Sequence, residues 1–267
     1  MKLFFTFFLA VFLTLIMTSC ATNPYARTNR AYKKQTKQLT KTIRLLPVLP
    51  TPETWVGTTN FSLRKPNYVV IHHTAQNSTE QTLKTFTLPK TQVSAHYVIG
   101  KDGKTYHMLN DYLRAWHGGA SKWGNATDIN SSSIGIELDN NGFETFAEPQ
   151  ISSLIKLLAS LKKNHSIPPA NFIGHSDIAP GRKVDPNANF PWKKLAENGY
   201  GLWPDSLLDS VPASFVPAEA LRIIGYDIKN LDFAIRSFKL HFIQNDISPY
   251  LNEYDKQVLF NLYKKYL

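Results

Sequence analysis

With 267 residues, 43% of them apolar and 19% charged, the chain can bury one good-sized core with a smaller module beside it, which excludes wholesale disorder. Its formal charge is +10, and Cys20 is the single cysteine, so no intramolecular disulfide holds the fold. The cations concentrate in one polar stretch, Arg27, Arg30, Lys33, Lys34, Lys37, Lys41 and Arg44, with no aromatic interleaving beyond Tyr25 and Tyr32.

Lys2 opens the chain, and an apolar run from Leu3 to Ala10 continues through Val11, Phe12, Leu13, Leu15 and Ile16 to small residues before Cys20. Residues 1–19 therefore read as an export signal; a spanning helix would need about 20 apolar residues and a stop-transfer flank. The string Met17-Thr18-Ser19-Cys20 resembles the lipobox of bacterial lipoproteins, although Met17 stands where leucine is more usual. The resemblance implies that Cys20 is acylated and becomes the first mature residue. With Ala21 at the sorting position, it implies a lipoprotein of the Gram-negative outer membrane that faces the periplasm. Two or three acyl chains anchor stably where one does not. Residues 20–60 then form a lipid-anchored basic tether, near anionic lipid or wall polymer, and nucleic acid is a poor partner for such a chain.

Pro47, Pro50 and Pro52 break the chain, and regular patterns begin near Pro66. Tyr68 to Thr74 is a β-branched run that predicts a buried strand, and Ser78 with Gln81 three residues on predicts a capped helix through Phe86. Ala95 to Gly100 and Thr105 to Leu109 flank the turn signal Lys101-Asp102-Gly103-Lys104, which predicts two strands of a hairpin. Ile134, Ile136 and Leu138 alternate with Gly135, Glu137 and Asp139, so a strand here sets its acids opposite its aliphatic face. Ile151, Leu154, Ile155, Leu158 and Leu161 recur at helical spacing, Pro168-Pro169 stops that helix, and a short strand over Asn171 to Gly174 follows. The expected class is α/β, a mixed central sheet flanked by helices, over 61–200. Beyond Pro191 the pattern changes to a proline-broken linker and three helix-like segments, which predicts a small all-α domain over 201–267. Its stripes, Leu231, Ile235, Phe238 and Phe242, then Val258, Leu259, Leu262 and Tyr263, are core faces.

Three strings set metal-binding or acid/base side chains at or just past a strand end, where loops bring distant residues together. They are Val70-Ile71-His72-His73-Thr74, Ile134-Gly135-Ile136-Glu137-Leu138, and Gly174-His175-Ser176-Asp177-Ile178-Ala179-Pro180-Gly181-Arg182-Lys183-Val184-Asp185-Pro186. With Ser94-Ala95-His96-Tyr97-Val98-Ile99 and Ala115-Trp116-His117-Gly118-Gly119, they resemble the amidase-2 family of N-acetylmuramoyl-L-alanine amidases, related to peptidoglycan recognition proteins. Among its members the likeness is greatest to the lipoprotein of the enteric outer membrane, and it runs from about Pro66 to Trp192. It implies a zinc ion on His72, His175 and Asp185, Glu137 as general base, Lys183 as stabiliser of the oxyanion, and hydrolysis of the muramoyl–alanine amide in peptidoglycan and muropeptides.

The chemistry of the residues fits. Zinc takes imidazole and carboxylate, and a catalytic site uses three protein ligands with one position left open. Strand alternation sends His72 and His73 to opposite faces, so one of them serves a given site; that it is His72 rests on the resemblance. His117 is assigned to substrate binding by its motif, with a structural hydrogen-bonding role as the alternative for both His117 and His96. His107, His165 and His241 read as structural or surface residues. The family often has glycine after the Asp-Pro pair, where this chain has Asn187. Ala220 to Tyr226 and Ala234 to Phe238 resemble the start and middle of a three-helix peptidoglycan-binding module, which implies a second grip on the polymer. A non-catalytic peptidoglycan binder, a zinc peptidase of the stem peptide and a structural lipoprotein are the competing readings. The intact His72, His175 and Asp185 set argues against the first and third. No heptad or exposed repeat suggests assembly, so a monomer is expected.

Overall fold

A computed structural model describes residues 23–43, 60, 62–63 and 65–267. The signal segment, Cys20 and Arg44 lie outside the described residues. The chain divides after Phe61 into two compact units. In the first, the basic stretch expected as a tether is helical over Ala26–Ile43 (α1), with no buried residue. No described helix is long and apolar enough to cross a membrane.

The second unit is built on a five-stranded sheet of order β3-β2-β4-β1-β5. Its strands are Tyr68–His73 (β1), Tyr97–Ile99 (β2), Thr105–His107 (β3), Ser133–Leu138 (β4) and Phe172–Gly174 (β5). β1, β2, β4 and β5 run parallel, and β3 closes one edge as the antiparallel arm of the predicted hairpin. That hairpin turns where expected: Gly103 sits at φ 83°, a conformation glycine adopts without a Cβ clash, and Asp102 Oδ1 accepts the Lys104 N–H. The predicted cap is also present, since Ser78 Oγ accepts the Gln81 N–H at the start of Thr79–Thr87 (α2).

Parallel strands are covered on both faces, so their side chains split by parity between two cores. Val69, Ile71, Ile134, Ile136 and Leu138 face Glu148–His165 (α3), whose Ile151, Leu154, Leu158 and Leu161 are buried, as its period predicts. Trp192–Glu197 (α5) completes that layer with Trp192 and Leu195. Truncating Leu154 or Leu158, both fully buried, to alanine costs about 2–5 kcal/mol. Val70 and Ile173 face the other way, toward His175–Ile178 (α4) and the three helices of the C-terminal region.

Those helices are Pro217–Ile224 (α6), Leu231–Phe242 (α7) and Glu253–Tyr266 (α8), as many as the sequence predicts over this stretch. Asn230 and Asn252 cap α7 and α8 through their side chains. Of the predicted α7 stripe, Ile235, Phe238 and Phe242 are buried, while Leu231 is exposed. Ala220, Leu221, Ile224, Val258, Leu259 and Leu262 pack in one cluster with the sheet's Val70 and Ile173. The C-terminal helices thus share a core with the sheet face that carries the site.

Candidate metal centre and active-site groove

His72 and Glu137 are register partners on adjacent parallel strands, and alternation turns both to the face of Val70 and Gly135. Glu137 is therefore not a solvated strand acid: β4 is buried along its whole length, and its polar face is the floor of the site. His73 turns to the opposite face, where its Nδ1 accepts the Asn187 N–H at 3.1 Å. His175 opens α4 directly after β5, and Asp185 arrives on the loop that follows. His72 Nδ1 and His175 Nδ1 are 2.9 Å apart, and each lies 3.0 Å from Asp185 Oδ2.

The protons around this triangle can be placed. Ser133 Oγ spends its hydrogen on the Ile129 carbonyl at 2.7 Å, so at 3.1 Å it accepts from His117 Nε2. His117 Nδ1 is then bare and accepts the His72 Nε2–H at 3.1 Å. His175 Nε2 lies 3.2 Å from the Gly118 carbonyl, which only accepts, and further, at 3.4 Å, from Arg182 Nη2, which only donates. The nearer carbonyl takes the Nε2 hydrogen, while Arg182 Nη2 donates to that carbonyl at 2.6 Å and to the Ala120 carbonyl at 2.8 Å. In neutral rings both Nδ1 atoms are therefore lone pairs, aimed at each other and at a carboxylate oxygen.

Three converging acceptors repel one another unless a cation lies between them. Donors about 2.0–2.1 Å from a tetrahedral zinc sit roughly 3.3 Å apart, close to the spacing found, and two imidazoles with one carboxylate are a zinc donor set. Among the described residues these three form the group that could hold a metal ion, and all of them are buried. Their outer nitrogens each donate to a fixed acceptor, which locks tautomer and ring angle. Burial, then the neighbouring His175, pushes the His72 pKa down to about 4, so the ring is neutral and ready to ligate at neutral pH. Burial pushes Asp185 up, but the two imidazoles at its oxygen outweigh that and hold it well below the usual carboxylate range.

The cluster lies in a groove of about 440 Å³ that Glu137, Lys183, Trp116 and Val184 also line. Glu137 Oε2 is buried without a hydrogen-bond partner among the described residues. Burial first, and the Asp185 charge second, raise its pKa to about 8, against the pull of Lys183. A carboxyl poised this way takes up and returns protons.

Comparison with known proteins agrees. The sequence profile of a family described as N-acetylmuramoyl-L-alanine amidase matches residues 62–188. The amidase AmiD of Escherichia coli is 36% identical over 207 residues, covering 65% of this chain and 74% of the relative. The chain belongs to the N-acetylmuramoyl-L-alanine amidase family. It is a zinc-dependent amidase of peptidoglycan and muropeptides. The solved complex of the E. coli AmiD with anhydro-N-acetylmuramic acid-L-Ala-D-gamma-Glu-L-Lys superposes with a TM-score of 0.69 at 30% identity, over 79% of this chain and 93% of that one. AmpDh3 of Pseudomonas aeruginosa does so with 0.70 at 28% identity, over 83% and 99%.

In this amidase the motif histidines divide by role. His117 borders the groove, but both its ring nitrogens are engaged, by His72 and Ser133. His96 is structural: Nδ1 accepts the Gly135 N–H and Nε2 donates to the Leu113 carbonyl. A Cβ on Gly135 would lie 2.4 Å from the His117 ring, which explains the glycine of the Ile134-Gly135-Ile136-Glu137 string. His107 is exposed, whereas His165 and His241 are buried on Asp111 and Asp177. Asn187, the departure from the family pattern, ties the metal loop to the loop after β4, donating to Asn140 Oδ1 and the Glu144 carbonyl.

Sequence reasoning missed the cluster behind His175. Asp177, fully buried, accepts the Gly174 N–H at 2.7 Å, His241 Nδ1–H at 2.7 Å and Tyr226 O–H at 2.8 Å. Trp192 stacks on His241 at 3.8 Å, and Phe233 occupies the space where a Gly181 Cβ would be. Only the Gly174-to-Asp177 spacing, that of a cap three residues before its partner, carries a local signal for this cluster.

Proposed function

We propose that this amidase hydrolyses the amide between the lactyl carbonyl of N-acetylmuramic acid, ordinary or anhydro, and the nitrogen of L-alanine, serving cell-wall turnover or recycling. His72, His175 and Asp185 hold the zinc. Bound there, zinc supplies Lewis acidity, which lowers the pKa of water to about 7 and polarises an amide carbonyl. Glu137 takes the proton of the attacking water on Oε2 and returns it to the departing alanine nitrogen. Lys183, whose charge already reaches Glu137 across the groove, stabilises the negative charge that develops on the carbonyl oxygen. The observation that carries this reading is the unpartnered, buried Glu137 Oε2 in one groove with the three-donor cluster. The muropeptide seen with the E. coli relative contains the same bond and supports the substrate class.

The same proposal covers the rest of the chain. Residues 1–19 export it, acylated Cys20 anchors it to the outer membrane on the periplasmic side, and the region 201–267 adds a grip on the polymer. Its test uses the chain without residues 1–20, incubated with purified peptidoglycan with and without a chelator, the released fragments being read by mass spectrometry. Free stem peptides beginning with L-alanine, lost on chelation and in Glu137→Ala, are the expected result. Polymer left intact under every condition, with protein bound to it, would overturn the catalytic assignments.

A further inference from the structure

Helix α1 has an unusual charge pattern. It carries Arg27, Arg30, Lys33, Lys34, Lys37 and Lys41 and no acidic residue, and none of its side chains is buried. Positions 27, 30, 34, 37 and 41 alternate steps of three and four, so these cations form one row along a single face. Tyr32, Leu39 and Ile43, spaced by seven and four, form a second row on the other side, and Leu39 and Ile43 are exposed.

In water this arrangement opposes itself. Like charges three and four residues apart destabilise a helix, and most helical stability comes from packing an amphipathic face, whereas no residue of α1 is buried. An anionic surface removes the first cost, and an apolar boundary beside it takes up the second row. A largely polar sequence, a cationic face and a narrow apolar face are the marks of a helix that lies in the plane of a membrane interface. Wall polymer offers carboxylates but no apolar phase for Tyr32, Leu39 and Ile43. The chain distance also fits: the few residues from Cys20 to Ala26 span at most roughly 20 Å when extended.

We propose that α1 is a non-covalent membrane contact: it lies in the headgroup layer of an anionic phospholipid leaflet, with Tyr32, Leu39 and Ile43 turned into the acyl boundary and its cations among the phosphates. This rests on the lipid-anchored reading above, to which it adds a separate, non-covalent contact that lays the chain against the leaflet.

The test is a co-sedimentation of residues 21–267, which lack Cys20 and so carry no acyl chain, with vesicles rich in phosphatidylglycerol, with phosphatidylcholine vesicles and with purified peptidoglycan. Binding to the anionic vesicles at least ~10-fold tighter than to the neutral ones, weakening as salt rises, is expected. The triple variant Lys34→Gln, Lys37→Gln, Lys41→Gln should weaken it about 100-fold, and Leu39→Asp about 10-fold, with hydrolysis of a soluble muropeptide unchanged in both. Equal binding to the two vesicle types overturns the proposal, as does a loss confined to peptidoglycan in the triple variant. Acylation of Cys20 is read separately by mass spectrometry of the full chain, so a failed vesicle experiment leaves the covalent anchor standing, and an unmodified Cys20 leaves the vesicle result standing.

Discussion

The two sides of the metal site are held in place by different means. His72 and Glu137 stand on neighbouring strands of one sheet, and His72 is propped from behind by His117 and Ser133, all within the stretch that carries the motifs. His175 and Asp185 sit on a short helix and a loop, which have little internal structure and take their support from the C-terminal helices through Asp177, Tyr226, His241 and Phe233. The comparison teaches that a site written in short strings can depend on a region that contains none of them. On the sheet side, the residue that orients a ligand also touches it. On the loop side, the Gly118 carbonyl fixes the His175 ring, but the helix and loop that carry both ligands are held by the Asp177 cluster, so a loss there reaches the metal together with the local fold.

The largest effect expected is chemical. Glu137→Gln keeps the shape of the site and all three ligands but removes the base, so kcat should fall about 10²–10⁴-fold while zinc content by atomic absorption stays at wild type. The same substitution has a signature in the metal-free protein. Because burial raises the Glu137 pKa from its ordinary 4.5 to about 8, the folded chain holds a proton that the unfolded chain releases. The stability it contributes is complete below about pH 4.5 and is lost as pH rises through about 8. Urea titrations of chelated wild type and Glu137→Gln should therefore diverge across that window, the variant becoming relatively more stable with rising pH by up to about 5 kcal/mol. Parallel curves would show that Glu137 is not buried in the metal-free fold.

Smaller changes separate the two sides. On the sheet side, Gly135→Ala drives a methyl into the His117 ring, which should cost about 1–3 kcal/mol and loosen zinc with it. On the loop side, Tyr226→Phe removes one donor from the Asp177 carboxylate, at about 1.5–3 kcal/mol by thermal denaturation. Ser133→Ala should be the mildest for the fold, yet it frees the tautomer of His117 and should weaken zinc about 10-fold in chelator competition. A Ser133→Ala variant that lowers stability without touching zinc affinity would break the contrast.

Much of the site was legible because its parts are local. Strand parity separated His72 from His73, and the long string from Gly174 to Pro186 carried two ligands and Lys183 at once. The strands and helices of the sheet followed from period, caps and turn residues, as Ser78 and Gly103 illustrate. What could not be read depends on distance through the fold. Nothing near Tyr226 or His241 announces an acceptor some fifty or more residues earlier. His117 was placed at the groove by its motif, but its partner Ser133 became visible only with β4 beside it. The basic stretch reads as a tether by its charge, and its helix shows in rows that repeat every three to four residues.

The shared core has a consequence for how the polypeptide can be divided. Between Gly201 and Pro217 the chain runs without helix or strand, and Leu207 is almost fully exposed, so a protease would find its entry there. A nick in that stretch would sever no hydrogen bond to Asp177 and would leave Phe233 against Gly181. The enzyme should then behave as a split protein, in which two separately made pieces rebuild the zinc centre on mixing and neither binds metal tightly alone.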